Sequence, residues 1–554
     1  MRRLFFLSSV LLAGGVASCS SCSHKSSGGD ESAPVALSPV AAPDGLLAEI
    51  TINNPDFFWG HLQRGVGGLA ALLPGTLGGL VTSFGSVDPS LAPTIDGASP
   101  AYAGIIARGA DDFGWAVAVT LTDLPHARAT LVDGESAHYD GKDDGIWTIL
   151  TRKGGASSSP GPQIAISKNG MLVVADNASD VKTIGEYLAR TMPSHPRPAT
   201  DVAIDVPRTA LSGPLHDRLA AAWTNFKTEK QAQADQAKKD HGRAADFGDP
   251  SGILALADGV VQKRLALLAD LQNAHISIET DATSITIDAL LSANDGNGVA
   301  SQAITAMKVG EATPLLDAVM GPVAILSRSS DAERAAAPAD FETALKNALG
   351  NHFGDADAKL ARAAATDWNG GMGDYVTITV ATDGLAGASI ATPTSHPDAA
   401  TKSVHEGFEL LARPAFAEPL SSLFKISGSS FGTAEIKGVG NATTFSFKRG
   451  TAESVGAAWA VHDGLLELAM SPDAPSFLSA AAHSQHVWRA DPSIVNRATA
   501  LGSTVSFAVV GRPFPASDPN ASLLFAWGRD GAKAHASVES SDVVIREAIR
   551  LLGR

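Results

Sequence analysis

QIAISKNGMLVVADNASDVKTIGEYLAR, residues 163–190, sets alternating apolar positions on both sides of Asn169-Gly170 and follows them with a helix-like stretch. Asn-Gly flanked by alternating hydrophobics is the strongest short-range hairpin signal, because these residues accept the positive φ that a tight turn between twisted strands requires. Asn177 or Ser179 then stands where a side-chain oxygen caps a first helical turn. The stretch reads as strand, turn, strand, helix.

The same unit recurs. GAAWAVHDGLLELAMSPDAPSFLSAAA (456–482) repeats it around Asp463-Gly464, and NAHISIETDATSITIDALLSANDGNGVASQAITAM and NASLLFAWGRDGAKAHASVESSDVVIREAIRLL form a further pair, the latter near the chain end. Taken in order, these units predict a tandem duplication with a boundary near residue 313. The openings correspond as well: LLAEITINNPDFFWGHL in one half, and GPVAILSRSSD with its later FETALKNAL in the other. The first half is longer between equivalent turns, Asn169 to Asp281 against Asp463 to Asp530. The excess falls on LHDRLAAAWTNFKTEKQAQADQAKKDHGRAADFG and LALADGVVQKRLALLADLQ, which predicts a helical insertion over about 211–272. Its polar part, 227–242, reads as a solvated helix face or, alternatively, a partner-binding arm or a partly disordered loop.

Antiparallel hairpins with trailing helices define an α+β class in which helices cover one sheet face. The other face must meet solvent, a second sheet or a ligand. GVGGLAALLPGTLGGLVTSFG (65–85) is apolar, but Pro74 and its glycines weaken any continuous helix, so it is not a membrane span. It reads as one or two short helices on the first sheet, or as a cover over an apolar groove. The expected organisation is residues 1–18 as signal peptide, 19–45 as lipidated flexible tether, 46–313 as one half, and 314–554 as the other.

Composition narrows the function. The chain has 554 residues and a formal net charge of −16, and a cleaved signal peptide would remove Arg2 and Arg3 and leave it more acidic. Such a surface argues against nucleic acid and against direct binding to anionic headgroups. Cys19 and Cys22 are the only cysteines, so the folded part has no disulfide and relies on packing.

Arg2-Arg3 followed by the apolar run Leu4 to Val16 has the form of a secretory signal and is too short to span a bilayer. The next residues, Val16-Ala17-Ser18-Cys19, resemble the lipobox of bacterial lipoproteins. The resemblance implies diacylglycerol on the Cys19 thiol, cleavage before Cys19 and acylation of the new amino group, and several chains make a durable membrane anchor where one does not. Ser20 resembles the outer-membrane sorting pattern, where an Asp often favours inner-membrane retention. The arginine pair faintly resembles a twin-arginine signal, but no Ser or Thr precedes it, and the general secretory route fits better. SSCSHKSSGGDESAPVALSPVAAPDG (20–45) is Ser/Gly-rich and then Pro/Ala-rich, a composition that builds no core and reaches roughly 25 to 30 Å as a tether.

The C-x-x-C spacing of Cys19 and Cys22 has other readings. A redox pair needs a strand before it and a helix after it, haem attachment needs the histidine one residue earlier than His24, and zinc needs four ligands. Cys22 and His24 therefore read as part of the tether.

Several catalytic look-alikes lack their context. Gly428-Ser429-Ser430-Phe431-Gly432 matches G-x-S-x-G, yet LFKIS before it and TAEIKG after it predict a hairpin turn, not the strand-to-helix elbow a nucleophilic Ser430 would need. His405-Glu406 begins H-E-x-x-H without its second histidine, and His483 with His486 has no third ligand. Tyr139 to Gly145 resembles a calcium loop except for Lys142 at a ligand position, and Asp367 to Asp374 is glycine-rich with no following helix; both read as turns.

The Val/Ile-rich opening strand and repeated hairpin-helix units over most of 46–554 resemble a family of secreted or anchored bacterial proteins classed as a domain of unknown function. The resemblance implies no activity and supplies no catalytic residue, cofactor or metal. The expectation is a non-enzymatic, lipid-anchored envelope protein, attached to the membrane through Cys19, at the outer membrane facing the periplasm or cell surface. It would bind a protein partner or support envelope organisation. The alternatives are a carrier of a hydrophobic ligand such as lipid, and a serine hydrolase using Ser430.

Overall fold

The computed structural model describes residues 37–552 apart from 67–72, 85–88, 110–111, 136, 154–161, 242–249, 282, 382–386, 418–427, 450–451, 484–486 and 513–520. Strands and helices are mixed, with antiparallel hairpins as the building unit, so the chain is α+β. At the Asn169-Gly170 hairpin, Gly170 takes φ 83°, and its N–H donates to Ser167 O at 3.1 Å. Asn169 keeps a negative φ and donates from Nδ2 to Ala189 O at 2.7 Å, which ties the turn to the helical run over 178–190. Asn177 caps that run by accepting from the N–H groups of Ser179 and Asp180. At the second hairpin both Asp463 (φ 48°) and Gly464 (φ 78°) are left-handed, the requirement of a two-residue turn of the primed type.

The described chain forms two compact units that interleave along the sequence. Unit 1 takes residues up to Arg218, Leu271–Ser292 and Glu539–Arg554; unit 2 takes Leu219–Asp270 and Ala293–Val538. The boundary expected near residue 313 concerns the order of a repeat and is distinct from the division into these units.

Unit 1 contains β1 (Leu46–Ile52), β2 (Ala101–Ala107), β3 (Phe113–Thr120), β4 (Tyr139–Asp144), β5 (Trp147–Arg152), β6 (Gln163–Ser167), β7 (Met171–Ala175), β8 (Val202–Pro207), β9 (Leu271–Thr280) and β10 (Ser284–Ala293). Its strand order is β4-β5-β6-β7-β3-β2-β1-β8-β9-β10. Helical segments pack on both faces. The 178–190 run lays Val181, Ile184 and Leu188 on Ala116, Ala118 and Val173. On the other side α1 (Pro55–Val66) seats Phe58 and Leu62 on Ile50, Ala103 and Ile204, with Ile545 of α11 (Asp542–Leu552) beside them. Arg546 donates from Nε and Nη2 to Gly65 O at 3.2 and 2.9 Å, satisfying a carbonyl that the end of α1 leaves free. In α2 (Leu77–Phe84), Leu77 enters a core with Leu91 and Val119. Of the segment expected as a tether, residues 37–45 are described and partly fastened. Val40 N–H donates to Thr191 Oγ1 at 2.9 Å, that hydroxyl donates to Val40 O at 2.7 Å, and Arg190 Nε donates to Ser38 O at 2.7 Å.

Unit 2 contains β11 (Val323–Ser327), β12 (Val376–Ala381), β13 (Gly387–Pro393), β14 (Gly428–Ile436), β15 (Gly440–Arg449), β16 (Ala452–His462), β17 (Leu465–Met470), β18 (Val505–Gly511) and β19 (Leu523–Asp530), and most of β20 (Lys533–Ser541). Their order is β14-β15-β16-β17-β13-β12-β11-β18-β19-β20. One face is fully packed. α9 (Ala474–His483) brings Phe477 and Leu478 onto Ala458 and Ala469, while α10 (Pro492–Ala500) brings Ile494 and Ala498 onto Ala324, Leu326 and Val510. Arg328, 9% exposed, donates to Val505 O at 3.0 Å and to Glu311 O, pinning the segment before β11 to β18.

Two long helices, α3 (Pro214–His241) and α4 (Pro250–Ala269), lie in the chain between β8 and β9. α4 touches α5 (Val299–Ala306) and α6 (Asp331–Leu349). α6 packs on α7 (Asp355–Gly371), and α7 on α8 (Pro397–Ala412).

Candidate functional site

The second face of the unit 2 sheet carries an in-register row across five strands: Phe525 opposite Val509, Val509 opposite Ile325, Ile325 opposite Ile378, and Ile378 opposite Ile390. The row continues through Leu468 to Trp459, which are 7% and 0% exposed because Phe408 of α8 stacks on the indole at 5.2 Å. Beyond α8 the cover ends. Ile378 is 36% and Val380 38% exposed, whereas Thr377 and Thr379, on the opposite face of β12, are 7% and 2% exposed. Alternation normally sends the apolar residues inward, so exposed aliphatics beside buried threonines are an informative departure. Val323, Phe507 and Trp527 extend the same half-exposed surface, with Phe507 and Phe525 meeting edge-to-face at 6.2 Å.

Unit 1 shows what closes such a face. Its row Ile276, Ile204, Ile50, Ala103, Val117 lies under α1 and α11. In unit 2 the long helix after β11 is α6, and it is turned to other work: Glu342 pairs with Arg362 of α7 at 2.5 Å, and Leu345 and Leu349 enter a cluster with Phe353 and Leu410. The sequence of α6, DAERAAAPADFETALKNAL, has too few large apolar residues to blanket a sheet, and Phe341 is itself 41% exposed. The face therefore stays open for a physical reason that lies in a distant helix.

Polar clusters elsewhere have structural partners. In unit 1, Asp180 is 1% exposed and sits 3.7 Å from Arg108 Nη2, and burial holds its carboxyl above the usual carboxylate range against the pull of Arg108. Arg108 also pairs with Asp176. Tyr187 donates to Glu49 Oε2 at 2.5 Å, and burial, then that acceptor, push its phenol upward. His275 Nδ1 lies 2.7 Å from Asp205 Oδ1, and His462 Nε2 lies 2.9 Å from Glu467 Oε2. Among the described residues no group of three His, Cys, Asp or Glu side chains is placed to hold a metal ion, and no helix is long and apolar enough to cross a membrane. A cleft of about 600 Å³ between α3 and α4 has a mixed lining, Lys227, Gln231, Asp235 and Asp258 beside Ala232, Leu254 and Ala255.

No family model matches this chain. No curated protein matches it either. It is similar to solved structures of TP0453. Crystal form IV shares 9% identity over 46% of this chain and 81% of TP0453, with a TM-score of 0.23. Form I shares 10% over 51% and 88%, at 0.24, and form III 8% over 50% and 88%, at 0.23.

The residues singled out in the sequence do not converge on one site. Cys19, Ser20, Cys22, His24 and His486 lie outside the described residues. Ser430 is inside β14, facing Ser446 of β15, so GSSFG is neither the expected turn nor an elbow leading into a helix. His405 lies on α8 and stacks on Phe431 at 4.1 Å, and the adjacent Glu406 pairs with Lys402 at 3.3 Å. His483 ends α9. Tyr139–Asp144 is β4 and not a turn, with Asp144 bound to Lys182 at 2.6 Å. Asp367–Gly371 is the last part of α7 and not a turn, held where Asn369 Nδ2 donates to Arg334 O at 2.6 Å. The open face was missed because YVTITVAT reveals an alternation without revealing which side is covered.

Proposed function

We propose that this chain is a non-enzymatic lipoprotein of the cell envelope, anchored by covalent lipid at Cys19, whose second unit binds an apolar ligand on the open sheet face. The observation that carries the binding reading is the inverted burial on β12, Ile378 and Val380 outward and Thr377 and Thr379 inward. Exposed aliphatics on a folded protein are stabilised when a ligand covers them, which supports this reading. The lipobox resemblance supports the anchor, and residues 38–40 bonded to Arg190 and Thr191 fix where the tether would leave the fold. The outer membrane is the proposed address on the strength of Ser20.

Two measurements test this. Mass spectrometry of the mature N-terminal peptide should find an acylated Cys19; an unmodified peptide beginning upstream of it contradicts the anchor. A fluorescent apolar probe should bind the mature chain and be lost on Ile378→Asp; unchanged binding contradicts the face.

A protein partner is the second reading, favoured by Leu219, Phe226 and Val260 on α3 and α4, which are 54%, 45% and 58% exposed. Substituting all three with Ser should then abolish partner binding and leave probe binding intact.

We also propose that the fold arose by tandem duplication. In support, adding ten to each strand number of unit 1, read from β4, reproduces the order of unit 2 read from β14. On this reading α3 and α4 are the insertion, since β18 and β19 are joined by a much shorter segment.

A further inference from the structure

We infer that Asn297 is a site of spontaneous modification, converted to aspartate and isoaspartate through the main-chain nitrogen of Gly298, and that the product unfastens the start of α5. The chain holds three Asn-Gly pairs, Asn169-Gly170, Asn297-Gly298 and Asn369-Gly370. Glycine makes such a pair labile, because without a side chain its N–H approaches the asparagine carboxamide unhindered. The fold locks two of the three. Asn169 is half-buried, its Nδ2 donates to Ala189 O at 2.7 Å, its Oδ1 is in contact with Ser167 Oγ, and the N–H of Gly170 donates to Ser167 O at 3.1 Å. Asn369 is half-buried as well, its Nδ2 donates to Arg334 O at 2.6 Å, and Gly370 lies in α7, whose ladder occupies its N–H.

Asn297 is exposed in the turn between β10 and α5, and among the described residues its carboxamide has no hydrogen-bond partner. The N–H of Gly298 donates to Asp295 O at 3.1 Å, within a surface turn of the kind that opens locally at low cost. The same turn explains why glycine stands at 298. Asp270, directly after α4, accepts from the N–H of Ala300 through Oδ2 at 2.8 Å and so satisfies a first-turn donor of α5. A Cβ on Gly298 would lie 2.3 Å from that oxygen. The cap therefore demands the residue that leaves Asn297 labile.

In the reaction, hydroxide takes the Gly298 N–H proton, the nitrogen bonds to Asn297 Cγ to close a succinimide ring, and Nδ2 leaves as ammonia with a proton from water. Water then opens the ring at either carbonyl, giving aspartate or isoaspartate. The sum is one water consumed and one ammonia released, with no change of oxidation state. In isoaspartate the main chain runs through the former side-chain carbon, and that extra atom carries Gly298 away from Asp270. The new carboxylate also stands in the turn that holds Asp295, next to the Asp270 cap, so the bond to Ala300 is lost.

The test is incubation of the mature full-length chain in mildly alkaline buffer, with and without urea, followed by peptide mass spectrometry that localises replacement of NH₂ by OH. Each hydrogen bond that must break slows the step about fivefold. In the folded protein Asn297 should therefore lead Asn369 by about fivefold and Asn169, held at both carboxamide atoms, by about 25-fold. In urea the three should convert at similar rates. Conversion led by Asn169 or Asn369 in the folded protein, or a preference for Asn297 that persists in urea, overturns the assignment. Amide hydrogen exchange at Ala300 to Gln302 should be faster in the converted protein than in Asn297→Gln, which cannot follow this route as readily; equal exchange overturns the unfastening of α5.

Discussion

Ile378 and Thr379 are consecutive on β12, and their burial runs opposite to their polarity: the isoleucine is 36% exposed and the threonine 2%. Thr379 faces the core that α9 and α10 close, while Ile378 faces the side that α6 leaves bare. Leaving an isoleucine half in water forgoes stabilisation worth on the order of 1 kcal/mol, which a ligand can recover by covering it.

Position along this contrast sets the cost of a charge. Ile378→Asp should destabilise unit 2 by less than about 1 kcal/mol, because the carboxylate remains hydrated. Ala324→Asp, one strand away but 0% exposed beneath α10, should cost more than about 3 kcal/mol. Urea unfolding of the two variants measures the difference; equal costs would mean that the face is closed.

Arg328 is a second sensitive point. Its guanidinium is buried enough that desolvation lowers its pKa, and it is held by the carbonyls of Val505 and Glu311. Hydrogen bonds from a charged donor are worth about 1.5–3 kcal/mol each, and part of that is offset by the desolvation of the cation. Arg328→Met should therefore lower stability by about 2–4 kcal/mol, read from the urea midpoint at constant slope.

A pH dependence follows from Asp180. Burial, opposed by Arg108, raises the folded pKa of this carboxyl above its unfolded value. A raised carboxyl favours the fold when protonated, so its contribution is complete below the unfolded value and is lost as pH rises through the folded one. Asp180→Asn cannot ionise. Wild-type stability relative to this variant should fall as pH rises across that interval and stay level above it, and a rise in the same interval would show that the Arg108 attraction outweighs burial.

Ser430 should be inert. It lies within a paired strand, with no helix start to supply an oxyanion site, so a fluorophosphonate probe should leave it unlabelled at neutral pH. Labelling that disappears on Ser430→Ala would restore the hydrolase reading.

The hairpins were legible because their information is local. Gly170, Asp463 and Gly464 take the left-handed conformations that Asn-Gly and Asp-Gly advertise, and Asn177 caps as its position suggests. The errors were local as well. Asp140, Lys142, Asp143 and Asp144 looked like a turn, yet β4 is an edge strand, where outward charges are ordinary. Gly370-Gly371 looked like a loop, but Trp368 packs in the cluster of Val404 and Phe408 of α8, Asn369 donates to the backbone carbonyl of Arg334 on α6, and α7 continues through them. The open face was not legible at all. Whether Ile378 or Thr379 points to a core depends on where α6, α8, α9 and α10 settle, which is decided by contacts far from β12 in the sequence.

An apolar chain seated on the uncovered face of unit 2 should be captured there by photo-crosslinking with a diazirine-bearing fatty acid. After irradiation and digestion of the mature protein, adducts should map to the peptides containing Val323–Ser327, Val376–Ala381 and Val505–Gly511, and should vanish on Ile378→Asp. Adducts confined to the α1 and α2 segments of unit 1, or adducts that persist in the variant, would contradict it.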